Sequence, residues 1–474
     1  MATVSTAFNI AKGALDADQA ALNIIANNTA NVNTPGYTQE RPVWVESDST
    51  SLDGSRFGMG VQMTGPQSQR DRVLEQAVQQ QTQVQTGSTA RLSALNQIQA
   101  LFAGATGTTA SSSSGIGSDL SGLFNSLAAL EGNPSDVASR QNVLSAASNL
   151  AQDFNGAAAQ LQTQQQGLNA ESNTVIQQAN TILQNIAQIN LQIESISPNQ
   201  DAGTLEDQRQ QDLTSLSQLI GIRTVPTENN GLIVTTMDGS LLVSQGTAAT
   251  ITTGQKGGVT HYFDSQGADI TSDLTGGGGQ LGGMLTARDQ DIPQVNSALD
   301  TLAYSVATQM NTLNGQGSDL SGNPGGAIFN LPAGATAVNP AGSAAQIAVV
   351  MTDPKQIAAA ALGAGPLDNS NAVTMASQQN AGIVNGISPT AWFSDMVTTL
   401  GSLTSQVSTE NTAQQAALTQ LQDQMGAISG VNLNDEAAAL ETLEQAYQAA
   451  SKLFTILDQV MVASLNLGVQ SSYS

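Results

Sequence analysis

The 474-residue sequence contains no cysteine and only one histidine, His261. The absence of cysteine excludes disulfide bonds, thiolate metal sites and a cysteine nucleophile. A lone histidine without a cysteine or a second histidine does not build an ordinary zinc site. A Ser-His-Asp triad would need His261, and no GxSxG segment is present to carry its serine. We therefore expect no catalytic, cofactor-binding or metal-binding residues, and we expect His261 to be structural.

Basic residues are also scarce, with 13 lysines and arginines against 37 aspartates and glutamates and a formal net charge of −24. Phosphate affinity requires clustered lysine and arginine, so a nucleic-acid partner is not expected. An acidic surface keeps monomers soluble, and we expect Asp289, Asp291 and Asp300 to lie on the solvated face of a helix. Only 11% of the residues are charged and 3% are aromatic. Such a polar but weakly charged surface suits a subunit that packs against copies of itself.

Long apolar runs are missing as well. No run approaches the roughly twenty residues that a membrane-spanning helix needs, so we expect no membrane span. The amino terminus has no basic segment followed by an apolar block, so we expect no cleaved signal peptide. Composition alone therefore favours the cytoplasm. The length is sufficient for roughly two to four domains with a substantial core.

Both ends of the sequence carry narrow apolar stripes with mostly alternating three- and four-residue steps. The first stripe comprises Val4, Phe8, Ala11, Leu15, Leu22 and Ile25, and the last comprises Leu440, Leu443, Tyr447, Ala450, Phe454, Leu457 and Met461. This spacing predicts helices that pack along each other or along a neighbouring subunit, and periodicity does not separate the two. Polar residues in the same region are candidates to fix the register of these helices: Asn23, Asn27, Gln445 and Gln448.

Characteristic segments adjoin both stripes. Residues 26–37 read ANNTANVNTPGY, and asparagine tolerates left-handed backbone and bonds to its own main chain, so this cluster predicts a defined corner. Near the other end, residues 429–433 read SGVNL and residues 444–452 read EQAYQAASK. These segments resemble the terminal signatures of the bacterial flagellar axial proteins of the rod, hook and hook-associated kind. They are most similar to those of the hook-associated members at the junction between hook and filament.

The resemblance implies a structural protein, a ring-forming adaptor that joins hook to filament through paired terminal helices. It implies as partners further copies of the chain, the hook protein, the second hook-associated junction protein and a flagellar export chaperone. It also implies an extracellular place in the flagellum, reached by type III export without signal cleavage. A hook or rod subunit is the alternative, and a secreted adhesin or enzyme that uses flagellar export is a third. The residues it assigns to the assembly of the polymer core are Val4, Phe8, Leu15, Leu22, Ile25, Asn27, Asn28, Asn31, Asn33, Gly36, Tyr37, Leu433, Leu440, Leu443, Tyr447, Phe454, Leu457 and Met461.

The middle of the sequence predicts long coiled-coil-like helices. One runs from a cap at Asn133, with Pro134 in its first position, to Pro198, and would be about 95 Å long if Gly156 and Gly167 do not break it. Its apolar residues step by four and three from Val143 to Leu161 and again from Val175 to Ile196, and the spacing around Leu168 between them predicts a stutter. Two further helices follow the stripes Ile292, Val295, Leu299, Leu302, Val306 and Leu313, and Met396, Leu400, Leu403, Val407, Leu421 and Ile428.

A small β-rich region interrupts the helices. Residues 232–237 and 240–243 flank Asp238-Gly239, a strong hairpin signal, and strands are also expected at 221–226 and 259–263. Four glycines at 276–279 should end this region flexibly. The predicted fold is mainly α, an elongated bundle of long helices formed by both ends of the chain, with a small β-rich outer domain inserted in the middle. The predicted domains are a terminal polymer-core domain of 1–40 plus 430–474, a long-helix bundle of 41–220, 280–315 and 366–429, and an outer domain of 221–279 plus 316–365.

Overall fold

The computed structural model describes residues 2–52, 55–103, 115–197 and 201–470. Helices dominate, the longest lying in the middle and at both ends, and strands are concentrated in smaller regions between them. The prediction of a mainly α fold with a small β-containing region in the middle is therefore confirmed. The helices are α1 (Ala2–Asn31), α2 (Arg72–Ala103), α3 (Ile116–Gly132), α4 (Val137–Ile196), α5 (Thr204–Leu219), α6 (Thr271–Gly276), α7 (Gly279–Thr286), α8 (Ile292–Gln316), α9 (Ser343–Gln346), α10 (Ser370–Ser377), α11 (Pro389–Ser429) and α12 (Leu433–Gln470).

The strands are short and antiparallel. A four-stranded sheet in the order β5-β6-β7-β8 contains the predicted hairpin, in which Gly239 takes a positive φ of 100° at the turn. The pair β1 and β4, which follows α1, was not predicted from the sequence. The strands are β1 (Glu40–Glu46), β2 (Thr50–Leu52), β3 (Ser55–Phe57), β4 (Val61–Ser68), β5 (Ile222–Pro226), β6 (Leu232–Thr236), β7 (Leu241–Ser244), β8 (Thr247–Ala248), β9 (Thr252–Lys256), β10 (Val259–Phe263), β11 (Gly317–Ser318), β12 (Phe329–Asn330), β13 (Ala348–Val349) and β14 (Ala360–Ala361).

Helix α4 has 60 residues and runs without interruption through Gly156 and Gly167, a length of about 90 Å. It begins later than predicted, because the side chain of Asp136 accepts hydrogen bonds from the backbone amides of Ala138 and Ser139 and caps the first turn. Ile196, the last residue of the predicted stripe, is exposed. A repeat of 3.5 residues drifts around a straight helix of 3.6 residues per turn, so the buried face moves off the predicted positions toward the carboxyl end.

The glycine-rich stretch 276–279 is closely packed, so the expectation of a flexible end is wrong. A Cβ atom at Gly221 would lie 1.9 Å from the carbonyl oxygen of Gly277. One at Gly279 would lie 2.6 Å from the backbone nitrogen of Ile220. These glycines allow the backbone that links α6 to α7 to approach the end of α5 more closely than any side chain would permit.

The expectation that three aspartates lie on a solvated helix face is wrong for two of them. Asp291 is buried and receives two hydrogen bonds from Arg91, at 2.9 and 2.8 Å. Asp300 is buried and accepts hydrogen bonds from the backbone amides of Gly342 and Ala344. Both carboxylates join elements distant in sequence, which the local pattern of charges does not reveal.

The hydrophobic core is one continuous cluster of buried side chains that extends along the sequence from Ala94 to Val407. Most of the helical residues in this cluster come from α3, α4, α8 and the first half of α11. No described residue of α1 or α12 belongs to this cluster. The paired ends of the chain are therefore held by their own contacts.

Candidate functional site

The two ends of the chain pack against each other as an antiparallel pair of helices. Near one end of the pair the ring centroids of Phe8 and Phe454 lie 4.5 Å apart. Near the other end the side-chain amide of Asn28 lies 3.0 Å from a carboxylate oxygen of Glu436. The sequence left open whether the stripes meet within one chain, and the structure shows them in contact within the chain. We call α1 and α12 together the terminal pair.

The apolar residues predicted for assembly differ in exposure. Ile25 is buried, whereas exposed positions on α12 include Leu433, Leu440 and Tyr447. The remaining predicted apolar residues are half-buried, as expected for a two-helix interface: Val4, Phe8, Leu15, Leu22, Leu443, Phe454, Leu457 and Met461. On α1, Ala11, Ala17 and Ala21 are also buried.

A second apolar stripe on α12 faces solvent. Leu453, Ile456 and Val460 are 48, 57 and 46% exposed. They step by three and four residues on a face adjacent to the one that contacts α1. We call these three residues the outer stripe. The sequence analysis missed them because it followed a single stripe along the helix.

Asn28 is the centre of the corner that follows α1. It is only 1% exposed, and its amide donates to the backbone carbonyl of Glu40 at 2.8 Å and to Glu436 at 3.0 Å. Its carbonyl oxygen accepts from the backbone amide of Glu40 at 3.0 Å and from the hydroxyl of Tyr37 at 2.8 Å. An asparagine side chain has two donor hydrogens and two acceptor sites, and here all four are used.

The first turn of α12 supplies the partner of this corner. Glu436 is 4% exposed, and the same carboxylate oxygen that meets Asn28 also accepts from the side-chain amide of Gln39 at 2.7 Å. A carboxylate in the first turn is also favoured by the positive end of the helix dipole. Asn432 caps this helix by accepting from the backbone amide of Asn434 at 3.0 Å. Sequence reasoning missed Glu436 and Gln39, although an acidic residue soon after SGVNL was a usable signal.

The SGVNL segment forms the tight connection from α11 to α12. The carbonyl oxygen of Ser429 accepts a hydrogen bond from the backbone amide of Gln39 at 2.9 Å. A Cβ atom at Gly430 would lie 2.4 Å from the carbonyl oxygen of Gly426, so only glycine fits there. This segment therefore places the start of α12 beside the corner.

The remaining residues of the corner shape its backbone. Asn31 donates to the backbone carbonyl of Asn27 at 3.0 Å, and Gly36 takes a positive φ of 79°. Asn27 and Asn33 are exposed. Burial, together with the nearby carboxylates of Glu40, Asp207 and Glu436, raises the pKa of Tyr37 well above its usual value. Tyr37 thus remains a neutral hydrogen-bond donor to Asn28.

An ion-pair cluster joins the corner to the central core. The backbone amide of Thr38 donates to Asp207 at 3.1 Å, and Asp207 also pairs with Arg70 at 2.6 Å. Arg70 pairs in addition with Glu75 at 3.1 Å. Burial lowers the pKa of Arg70, but the surrounding carboxylates outweigh it and raise the pKa overall. The corner is thereby fixed to both α2 and α5.

Candidate metal ligands are dispersed in the described part of the chain. Its side chains form no group of three or more histidine, cysteine, aspartate or glutamate residues able to hold a metal ion. His261 lies near the surface, where its ring nitrogen Nδ1 is 2.9 Å from Asp269, which also pairs with Lys256 at 3.0 Å. Within the described residues, no helix combines the length and apolarity needed to cross a membrane.

Two family profiles match the chain. The profile of the flagellar hook-associated protein FlgK helical domain matches residues 95–329, and that of the flagella basal body rod protein matches residues 8–38. The second match covers most of α1 and its corner, and the first covers much of the central core.

Curated relatives match nearly the whole chain. Flagellar hook-associated protein 1 of Escherichia coli (strain K12) is 25% identical, with 98% of this chain and 100% of that protein covered. Its counterpart in Bacillus subtilis (strain 168) is 26% identical, with 96% and 97% covered. The solved structure of the flagellar hook junction protein FlgK from Burkholderia pseudomallei matches with a TM-score of 0.66 at 18% identity. It covers 75% of this chain and 100% of the solved chain, and at this identity the match concerns the fold.

Proposed function

Since the chain belongs to the family of flagellar hook-associated protein 1, we propose that it is the structural adaptor that joins the hook to the filament. The observation that carries this proposal is the terminal pair, in which the two ends of the chain form one antiparallel unit outside the hydrophobic core. A unit held apart from the core is available to pack against other subunits.

The outer stripe supports self-assembly. Three large apolar side chains in a row on one helix face remain about half exposed, and burying them against another copy would be favourable by roughly 25 cal/mol per Å². In this proposal the terminal pairs of neighbouring subunits form the core of a ring. The long helices set its radius, and the strands within 221–279 and 316–365 face outward.

The proposed partners are the hook protein on one side of the ring and the second hook-associated junction protein on the other. A flagellar export chaperone would hold the chain before assembly, and the place of action is outside the cell. Export would proceed without a cleaved signal peptide. The low fractions of charged and aromatic residues in the chain suit a surface that contacts copies of itself and related subunits.

The test of the proposal is electron microscopy of cells that lack the gene, combined with an assay of the medium for unpolymerised flagellin. Completed hooks without filaments, with flagellin lost to the medium, are expected. Missing hooks would instead indicate a rod or hook subunit. Normal filaments would contradict the adaptor role altogether.

The outer stripe offers a more specific test in the same cells. We expect the variant carrying Ile456→Lys and Val460→Lys to fold, because both side chains face solvent, and to fail in restoring filaments, because charge cannot be buried between subunits. Gln459→Lys, at an exposed position between them in sequence, is the matched control and should restore filaments. Restoration by the double variant would show that the outer stripe is not an assembly surface.

A further inference from the structure

The apolar contacts of the terminal pair leave its register weakly specified. On α12, Leu440, Tyr447, Phe454 and Met461 recur every seven residues. If α12 slides along α1 by seven residues, each of these apolar side chains is therefore replaced by the next one in the series at nearly every position. Half-buried apolar side chains discriminate poorly between such alternative registers.

The polar residues that the sequence offers for this role do not meet the requirement. Asn23, Asn27, Gln445 and Gln448 are all exposed, so their side chains require no partner on the opposite helix in any register. A polar residue selects one alignment only when it is buried and its partners exist in that alignment alone.

We propose that the hydrogen bond between Asn28 and Glu436 fixes the register in which α1 pairs with α12. Both side chains are almost fully buried, and both are satisfied only in the observed alignment. A shift of seven residues would place Asn28 opposite Leu443 or Ser429 instead of Glu436. Such a shift would leave the Asn28 amide without its carboxylate partner and Glu436 without both of its donors, Asn28 and Gln39, a penalty that the apolar stripes do not impose.

The other hydrogen bonds of Asn28 explain how this pair aligns α12 relative to the corner as well as to α1. Its other three hydrogen bonds go to the backbone of Glu40 and to Tyr37, so the position of Asn28 is set by the corner and not by α12. Glu436 in turn is tied to Gln39 of the same corner. The pair thus aligns α12 against a fixed reference. Because this concerns a single chain, it stands independently of the flagellar role.

The absence of cysteine makes the register directly measurable. Three full-length double-cysteine variants share Phe8→Cys and carry Phe454→Cys, Tyr447→Cys or Met461→Cys as the second change. The variant with Phe454→Cys reports the observed alignment. The variants with Tyr447→Cys and Met461→Cys report shifts of seven residues in the two directions. The rate of intramolecular cross-linking by a short thiol-specific reagent is followed in each, at a dilution that keeps the chain monomeric.

With Asn28 and Glu436 in place, we expect the pair at 8 and 454 to cross-link at least about tenfold faster than the two shifted pairs. With Asn28→Leu and Glu436→Leu added, we expect the cross-linking rates of the shifted pairs to come within about threefold of the rate at 8 and 454. The buried hydrogen bond that disfavours the shifted registers is then absent. Glu436→Gln is the matched control, since its carbonyl oxygen can still accept from Asn28 and Gln39, and it should retain the preference.

Two outcomes would overturn the proposal. An unchanged preference in the double-leucine background would show that the apolar contacts already fix the register. Loss of cross-linking at all three pairs, with helix content reduced, would show that Asn28 and Glu436 are needed for docking and not for the choice of alignment.

Discussion

Arg140 shows how a single buried side chain connects distant segments. It is 1% exposed, and its guanidinium donates to the backbone carbonyl of Pro134 at 2.9 Å and to that of Ile357. Burial lowers its pKa, and the charge of Asp319 acts in the opposite direction. The start of α4 is thereby fastened to a loop more than two hundred residues later.

Replacing this side chain tests that role. We expect Arg140→Met to lower the free energy of unfolding by about 2–4 kcal/mol, because backbone carbonyls would be left buried without donors. Unfolding in urea measures the loss. Arg223→Met, at an exposed position on β5, is the control and should change stability by less than about 0.5 kcal/mol. If both variants changed the free energy of unfolding by equally small amounts, water would be replacing the guanidinium as the donor to these carbonyls.

Asp119 and Asp153 form an unfavourable pair of carboxyl groups on α3 and α4. Burial, and then the neighbouring Asp153, raise the pKa of Asp119 to about 6. Burial also raises the pKa of Asp153, one of whose oxygens is buried without a hydrogen-bond partner. Because the unfolded chain has a pKa of about 4 for aspartate, the folded state binds more protons between pH 4 and pH 6.

The free energy of unfolding should therefore depend on pH through this pair of carboxyl groups. A raised folded-state pKa makes the free energy of unfolding fall as the pH rises from about 4 through about 6, with the full penalty above that. Asp119→Asn removes one charge, so we expect a gain in stability at pH 7 that shrinks toward pH 4. Unfolding in urea across this pH range measures the difference, and Asp395→Asn, at an exposed position on α11, is the control. A gain that is independent of pH would contradict the assignment.

At the scale of elements, glycine decides how closely helices approach. A Cβ atom at Gly283 of α7 would lie 2.0 Å from the carbonyl oxygen of Gly87 on α2. The glycines Gly156 and Gly167 on α4, in contrast, have no other atoms within 4 Å of a Cβ position. The same residue type thus permits a close helix contact in one place and only loosens a helix in the other.

This contrast predicts opposite effects of one substitution. Gly283→Ala should lower the free energy of unfolding by about 3 kcal/mol or more, because the backbones of α2 and α7 must separate. Gly156→Ala should raise it by about 0.5–1 kcal/mol, because alanine favours the helix and nothing obstructs it. Chemical denaturation of both variants measures the changes. A destabilising Gly156→Ala would indicate that α4 bends there.

At the scale of the whole molecule, the terminal pair and the central core are separately stabilised. The core cluster lies between Ala94 and Val407, and the terminal pair contributes no described residue to it. The corner that follows α1 joins the core through polar contacts, including those of Thr38 with Asp207 and of Asp207 with Arg70. Polar contacts of this kind transmit position well but add little apolar burial.

Removal of residues 440–474 should therefore leave the central core intact. We expect the truncated chain to remain soluble and to unfold cooperatively with a midpoint close to that of the full chain, while it no longer assembles. Urea unfolding and sedimentation check the two parts of this prediction, and removal of 471–474 alone serves as the control. A large loss of stability in the core would show that the ends and the core fold as one unit.

Periodicity in the sequence by itself determined the long helices, because the spacing of apolar residues reflects which face of each helix is buried. It also determined that both ends carry matching stripes and that an asparagine-rich corner follows α1. It did not determine which asparagine mattered, since Asn27, Asn28, Asn31 and Asn33 all have the same local preference for a corner. Only the tertiary structure placed Glu436 beside Asn28, across more than four hundred residues.

The same reason applies to the aspartates. Asp291 and Asp300 carry the local pattern of a solvated helix face, yet Arg91 and the backbone of 342–344 bury them. Periodicity left open whether the terminal stripes meet within one chain or between subunits, and only the tertiary structure shows Phe8 in contact with Phe454 of the same chain. Periodicity is a local property that the sequence records directly. The partner of a buried polar group is a non-local property that depends on how every element packs.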